Sequence, residues 1–207
     1  MQGVPGYSRL LGRGGLAALL IGAVAVVIVL ARPIDAQAGS SCATRGHTLA
    51  ANALARVYED GLIYACYRRT GRTFTIYFGD TIGDPGIVRL AGTRVAFDYV
   101  DDTSRGSEDR SVIALRNVRT GRSRRIRVPE AATGATDMVL KPNGSLAEIR
   151  YVVLPSQFDP VLQVRRFDGR GKRLLATGAD IGPRSLTLSG STVRWRQGGK
   201  VRRASLR

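Results

Sequence analysis

The chain has one histidine, two cysteines and three lysines among its 207 residues, and aromatic residues make up only 6%. Each shortage removes a kind of chemistry. With His47 as the sole histidine, a Ser-His-Asp arrangement has one candidate base, and the chain holds no Gly-x-Ser-x-Gly elbow to accompany it. One histidine and two distant cysteines do not complete a tetrahedral transition-metal set without carboxylates. No catalytic, metal-ligating or cofactor-binding residue is therefore assigned, and no cofactor is expected. Sustained helical periodicity is also missing from Leu54 onward.

What is present is a repeated hairpin pattern. Val88 and Leu90, a turn at Ala91-Gly92, then Val95 and Phe97 put four apolar side chains on one face of an antiparallel pair. Leu186 and Leu188, Ser189-Gly190, Val193 and Trp195 repeat it. Met138 and Leu140, Asn143-Gly144 and Leu146 form a looser copy with Lys141-Pro142 inserted. An earlier copy reads Val57, Asp60-Gly61, Tyr64 and Cys66. Turn dipeptides at intervals of about ten residues between short alternating runs predict an all-β domain. Two of these hairpins are followed by a second, more polar one, from Ser111 to Ile126 and from Val161 to Leu175. The pairing predicts four-stranded units with buried inner and solvated outer strands.

Val88 to Phe97 followed by Leu115 to Ile126, with its Thr120-Gly121 turn and basic last strand, resembles the repeats of TolB-type and related β-propellers. The resemblance extends over residues 54–207. It implies a propeller-like fold, partial or small, with a loop-lined binding face. The glycines at 61, 92, 144 and 190 are spaced 31, 52 and 46 residues apart, so the repeat is irregular. A half-propeller, an open meander and a β-sandwich share this pattern.

The N-terminus carries Arg9 and Arg13 and then no charge from Gly14 to Ala31, the profile of an apolar, membrane-directed helix. Ala36-Gln37-Ala38 offers small residues for a signal peptidase, which makes residues 1–38 a cleaved signal peptide; an uncleaved membrane anchor is the competing reading. Either way the expected location is extracellular or in the cell envelope. Residues 1–38 hold three basic residues against Asp35, so export leaves 29 basic and 15 acidic residues, a net +14. Residues 39–53 form a lead-in in which Thr48 to Ala51 fits one helical turn or a first strand. The even cysteine count and an oxidising compartment predict a Cys42–Cys66 disulfide, with two free thiols as the alternative.

Arginine outnumbers lysine 29 to 3. Arg122, Arg124, Arg125 and Arg127 crowd one outer hairpin and are the candidate anion-binding residues. A GC-rich genome would impose the same bias through its codons without selecting a site. Asp98, Asp101, Asp102, Glu108 and Asp109 match no calcium loop and are expected in a solvated connection. Gly169-Arg170-Gly171-Lys172 lacks the spacing and hydroxyl of a phosphate loop and reads as a turn. Two functions remain. One is a non-enzymatic binding or interaction module, whose partner would be an anionic envelope polymer or another protein. The other is an extracytoplasmic enzyme acting on carbohydrates or lactones through carboxylates of the Asp98 to Asp109 loop. Nucleic acid is a poor partner for an exported chain with few stacking rings.

Overall fold

Short runs of alternating apolar residues between tight turns have one economical solution, the antiparallel meander, and the chain adopts it four times. The computed structural model describes residues 42, 46–77, 86–101, 110–128, 132–153 and 159–207, and its regular elements are β-strands. The first sheet is β1 (His47–Ala51), β2 (Ala55–Asp60), β3 (Leu62–Tyr67) and β4 (Arg72–Tyr77). The second is β5 (Val88–Ala91), β6 (Arg94–Asp101), β7 (Arg110–Asn117) and β8 (Ser123–Arg127). The third is β9 (Ala132–Leu140), β10 (Leu146–Val152), β11 (Val161–Asp168) and β12 (Gly171–Gly178). A three-stranded sheet closes the series with β13 (Thr187–Ser189), β14 (Thr192–Gln197) and β15 (Lys200–Ser205). The ambiguous stretch Thr48 to Ala51 is thus a strand. The expected leader, residues 1–38, lies outside the described residues.

The hairpin registers follow the apolar pattern in three of the four copies. Val88 faces Phe97 and Leu90 faces Val95; Leu140 faces Leu146; Leu188 faces Val193. The first copy is different. Val57 pairs with Ala65 and Tyr58 with Tyr64, so Tyr64 and Cys66 lie on the face opposite to Val57. Gly61 also turns the chain between the second and third strands of its sheet, whereas Gly92, Gly144 and Gly190 turn it between the first and second. The first sheet makes that equivalent turn without glycine. Asn52 holds it, its Oδ1 accepting from the backbone N–H of Leu54 at 2.8 Å and of Ala55 at 2.9 Å.

These equivalent turns line up along one rim. Asn52 Nδ2 donates to the Gly92 carbonyl at 2.9 Å, Gly92 lies against Pro142, and Lys141 Nζ donates to Ser191 Oγ at 2.9 Å. The sheets therefore run the same way and stack face to face. Three apolar layers fill the gaps. Ala55, Val57, Ile63 and Ala65 meet Val95, Phe97 and Val118. Ala96, Ile113, Leu115 and Ile126 meet Met138, Leu146, Val152 and Phe167. Ala147, Ile149 and Val164 meet Ile181, Val193, Trp195 and Leu206. Among the described residues no such layer joins the first sheet to the fourth. Trp195 fills the third layer, as the sequence suggests.

Strands inside the stack are covered on both faces, which is why Ser111 to Leu115 and Leu146 to Arg150 are buried without interruption. The two outward faces are finished differently. On the first sheet the Cys42–Cys66 disulfide packs with Tyr58 and Tyr64. Those two rings stack at 5.4 Å, and the Arg56 guanidinium lies 4.9 Å from the Tyr58 ring. Arg56 also pins the lead-in, donating to the carbonyls of Cys42 at 2.6 Å and Gly46 at 2.9 Å and to Thr48 Oγ1 at 2.9 Å. Gly46 has φ +59°, and a Cβ there would lie 2.0 Å from the Glu59 carbonyl oxygen, so only glycine fits. On the fourth sheet the outward face carries exposed Thr187, Ser189, Arg194 and Arg196.

Candidate anion-binding surface

A run of arginines close in sequence need not be close in space, because a strand sends successive side chains to opposite faces. Arg124 pairs with Leu115 and Arg125 with Ala114, and those partners belong to different apolar layers. The four candidate arginines therefore divide. Arg122 and Arg124, with Ser123, line a cleft of about 210 Å³ shared with Arg94, Leu115 and the Asn143-Gly144 turn. Arg125 and Arg127 line a separate groove of about 400 Å³ with Val112 and Lys172. All four are exposed, and none of their side chains makes a hydrogen bond or ion pair among the described residues. Lys172 Nζ reaches the Arg127 carbonyl at 2.7 Å and ties β12 to β8.

Cations mark the outermost strand of every sheet: Arg72 on β4, Arg124, Arg125 and Arg127 on β8, Lys172 and Arg173 on β12, Lys200, Arg202 and Arg203 on β15. Charged residues on an exposed edge hinder strand addition by another chain. Edge protection is thus one physical reason for cations on these strands.

Other arginines are consumed inside the stack. Arg89 Nε donates to the Met138 carbonyl at 2.7 Å and pairs with Asp137 at 3.4 Å. Arg116 Nη1 donates to the Thr75 carbonyl at 2.6 Å, its guanidinium 5.2 Å from the Phe74 ring. Arg166 Nη1 donates to the Ser205 carbonyl at 2.7 Å and pairs with Asp168 at 3.4 Å. Each of these ties one sheet to the next.

Arg150 does the same with no exposure at all. Its Nη2 lies 3.0 Å from Asp98 Oδ1 and 2.5 Å from Glu148 Oε2, its Nε donates to Glu148 Oε1 at 2.8 Å, and its Nη1 donates to Ser111 Oγ. Asp98 additionally accepts from Ser111 Oγ at 3.1 Å and, through Oδ2, from the Ala135 N–H at 2.6 Å. The expectation of a solvated Asp98 is corrected: it is 1% exposed, because the second sheet turns it into the layer where Arg150 waits. Burial pushes the Glu148 carboxyl above its usual range, against the pull of Arg150. For Arg150 burial disfavours the charge, but Glu148 and Asp98 more than offset it and the net shift is upward. Removing one member of such a buried pair costs about 3–5 kcal/mol, since the other charge is left without a partner. The side chain of Asp101 and all of Asp102, Glu108 and Asp109 lie outside the described residues. Among the described residues no three histidine, cysteine or carboxylate side chains gather to hold a metal.

Two contributors to the basic grooves escaped the sequence reading. Lys172 belongs to a Gly-Arg-Gly-Lys turn that looked only like a turn, and its reach to β8 depends on sheet stacking. Arg94 directly follows the Gly92-Thr93 turn and carried no signal of its own. The split of the quartet was legible, since the alternation used for the hairpins applies equally to residues 122–127. The chain matches no protein-family model, and comparison with curated proteins finds no match.

Proposed function

We propose that the protein is an exported or envelope-anchored binding module of β-propeller-like construction that holds an anionic polymer on its basic outer strands. The observation that carries this reading is the set of exposed arginines on β8 with no carboxylate partner among the described residues. A structural arginine in this chain finds an acceptor, as Arg56, Arg89, Arg116, Arg150 and Arg166 do; those on β8 keep their donors open. Export is supported by the Cys42–Cys66 bridge, which belongs to an oxidising compartment, and by the leader-like residues 1–38. Propeller-like construction is supported by successive meander sheets whose first turns share one rim.

Titration of a heparin-like polymer at increasing salt tests the reading. Each engaged charge releases a condensed counterion, and four contacts lose roughly a hundredfold in affinity between about 50 and 200 mM salt, taking duplex DNA as the scale. Replacing Arg122, Arg124, Arg125 and Arg127 with serine should flatten that slope and leave thermal stability nearly unchanged. The matched comparison removes the exposed Arg194, Arg196, Arg202 and Arg203 of the fourth sheet. Equal losses from both sets would reduce the effect to total net charge and remove the localised surface.

A further inference from the structure

The cleft at the lower end of the second sheet is unlike the other basic surfaces. Arg94 opens β6, an interior strand, paired on one side with Ala91 and on the other with Asn117. Edge protection has no use for a cation there. Alternation puts Arg94 on the face of Ala96 and Asp98, toward the third sheet, and Arg124 on the face of Ile126, toward the same sheet. Arg122 completes the row: its carbonyl accepts the Asn117 N–H at 2.9 Å. Three arginines from two strands and a turn therefore line, with the Asn143-Gly144 turn, a cleft of about 210 Å³.

Apart from Leu115 and Gly144, the described lining residues carry donor side chains. Asn143 uses its Oδ1 to accept the Ser145 N–H at 3.0 Å, which leaves its amide N–H groups for a ligand. Ser123 adds a hydroxyl. Among the described residues no carboxylate lines the cleft, and none of the three arginine side chains has a hydrogen bond or ion pair. Three like charges brought together repel one another, and an anion of higher charge relieves more of that repulsion than a carboxylate does. A phosphomonoester carries about −1.5 to −2 at neutral pH and offers three acceptor oxygens to guanidinium forks. The volume suits a small group rather than a drug-sized ligand.

We propose that Arg94, Arg122 and Arg124, with Asn143 and Ser123, form a subsite for a phosphomonoester group. It rests on the anion-binding reading of the outer strands and gives that reading a point of chemical selectivity.

Calorimetric titration of the full chain at low salt, with inorganic phosphate and acetate as probes, tests it. Phosphate should bind about tenfold or more tightly than acetate, and Arg94→Gln should weaken phosphate about tenfold, the scale of one lost charge-assisted fork. Arg94→Lys, which keeps the charge but not the fork, should fall between. The double variant Arg194→Gln/Arg196→Gln, exposed on the outward face of the fourth sheet and outside the cleft, should leave phosphate affinity within about twofold of the parent. If Arg94→Gln lowers the melting temperature, Arg124→Gln on the exposed strand carries the decision. Unchanged phosphate affinity in the cleft variants, equal loss in the double variant, or acetate binding as tightly as phosphate overturns the subsite. Heparin-like polymer binding is measured alongside. A chain that retains it while failing the phosphate test loses only the subsite. A chain that passes the phosphate test and binds no polymer keeps the subsite and loses the polymer reading.

Discussion

A single residue type does two opposite jobs in this chain, and the presence or absence of an acceptor separates them. Arginine has five donors on a planar fork and stays charged at any ordinary pH, so inside a sheet stack it bridges backbone carbonyls and carboxylates that two different sheets present. Asp168 is the acidic counterpart at the C-terminal end. Its Oδ1 accepts the Arg170 N–H at 2.9 Å, its Oδ2 accepts the Arg207 N–H at 3.2 Å, and Arg166 lies 3.4 Å away. Burial opposes the ionised form, yet these backbone donors and Arg166 outweigh it and hold the carboxyl below its usual range. A carboxyl with a depressed folded value stabilises fully above its unfolded value, near pH 4, and loses that stabilisation as pH falls through the folded value. Asp168→Asn should therefore cost about 1–2 kcal/mol at pH 7, with the two proteins converging in melting temperature as the pH drops from about 5 toward 2.5. A constant gap across that range would show that the charge of Asp168 contributes nothing.

At the scale of elements, the sequence was most readable where a strand is half of a tight glycine hairpin. Gly92, Gly144 and Gly190 each mark a first turn, and the apolar residues around them pair as the period of two requires. The first sheet broke the pattern because Asn52 supplies its turn by side-chain capping, and Asp60-Gly61 then attracted the reading one turn too late. The all-β class and the second and third four-stranded units were legible. The ionic layer of Asp98, Glu148 and Arg150 was not, since Asp98 lies 52 residues before Arg150 and meets the Glu148–Arg150 pair only when the second and third sheets stack. The disulfide was legible from count and compartment, but Arg56 as a second fastening of the lead-in was not. That second fastening shapes the next expectation. Cys42→Ala/Cys66→Ala should lose roughly 3 kcal/mol by the chain-entropy scale for a separation of 24, while Arg56 keeps β1 paired to β2. Circular dichroism of the variant should keep the full β signal below the new midpoint. Loss of the β signal in the folded baseline would mean that the bridge holds the sheets themselves.

Among the described residues the four sheets follow one another in a row: three apolar layers serve them, and each sheet packs mainly on its neighbours. In such an arrangement stability is close to a sum of unit terms and interface terms, so position in the row sets local stability. The second and third sheets are covered on both faces and share the layer that holds Arg150. The first has one layer plus the disulfide, Arg56 and the Tyr58–Tyr64 stack on its outer side. The fourth has three strands, one layer and a polar outer face, and its ties to the third sheet include Arg166 to the Ser205 carbonyl and Lys141 to the Leu206 carbonyl at 3.0 Å. Native-state amide exchange should rank accordingly, slowest in β6, β7, β10 and β11, intermediate in β2 and β3, and fastest in β14 and β15. Reduction of the disulfide should speed exchange in β2 and β3 and leave β10 and β11 where they were. Lys141→Met, which cuts the tie at the shared rim, should speed β14 and β15 alone. Uniform protection in all four sheets, or acceleration of β10 and β11 on reduction, would mean that the sheets unfold as one cooperative body and that the neighbour-by-neighbour account of this fold is wrong.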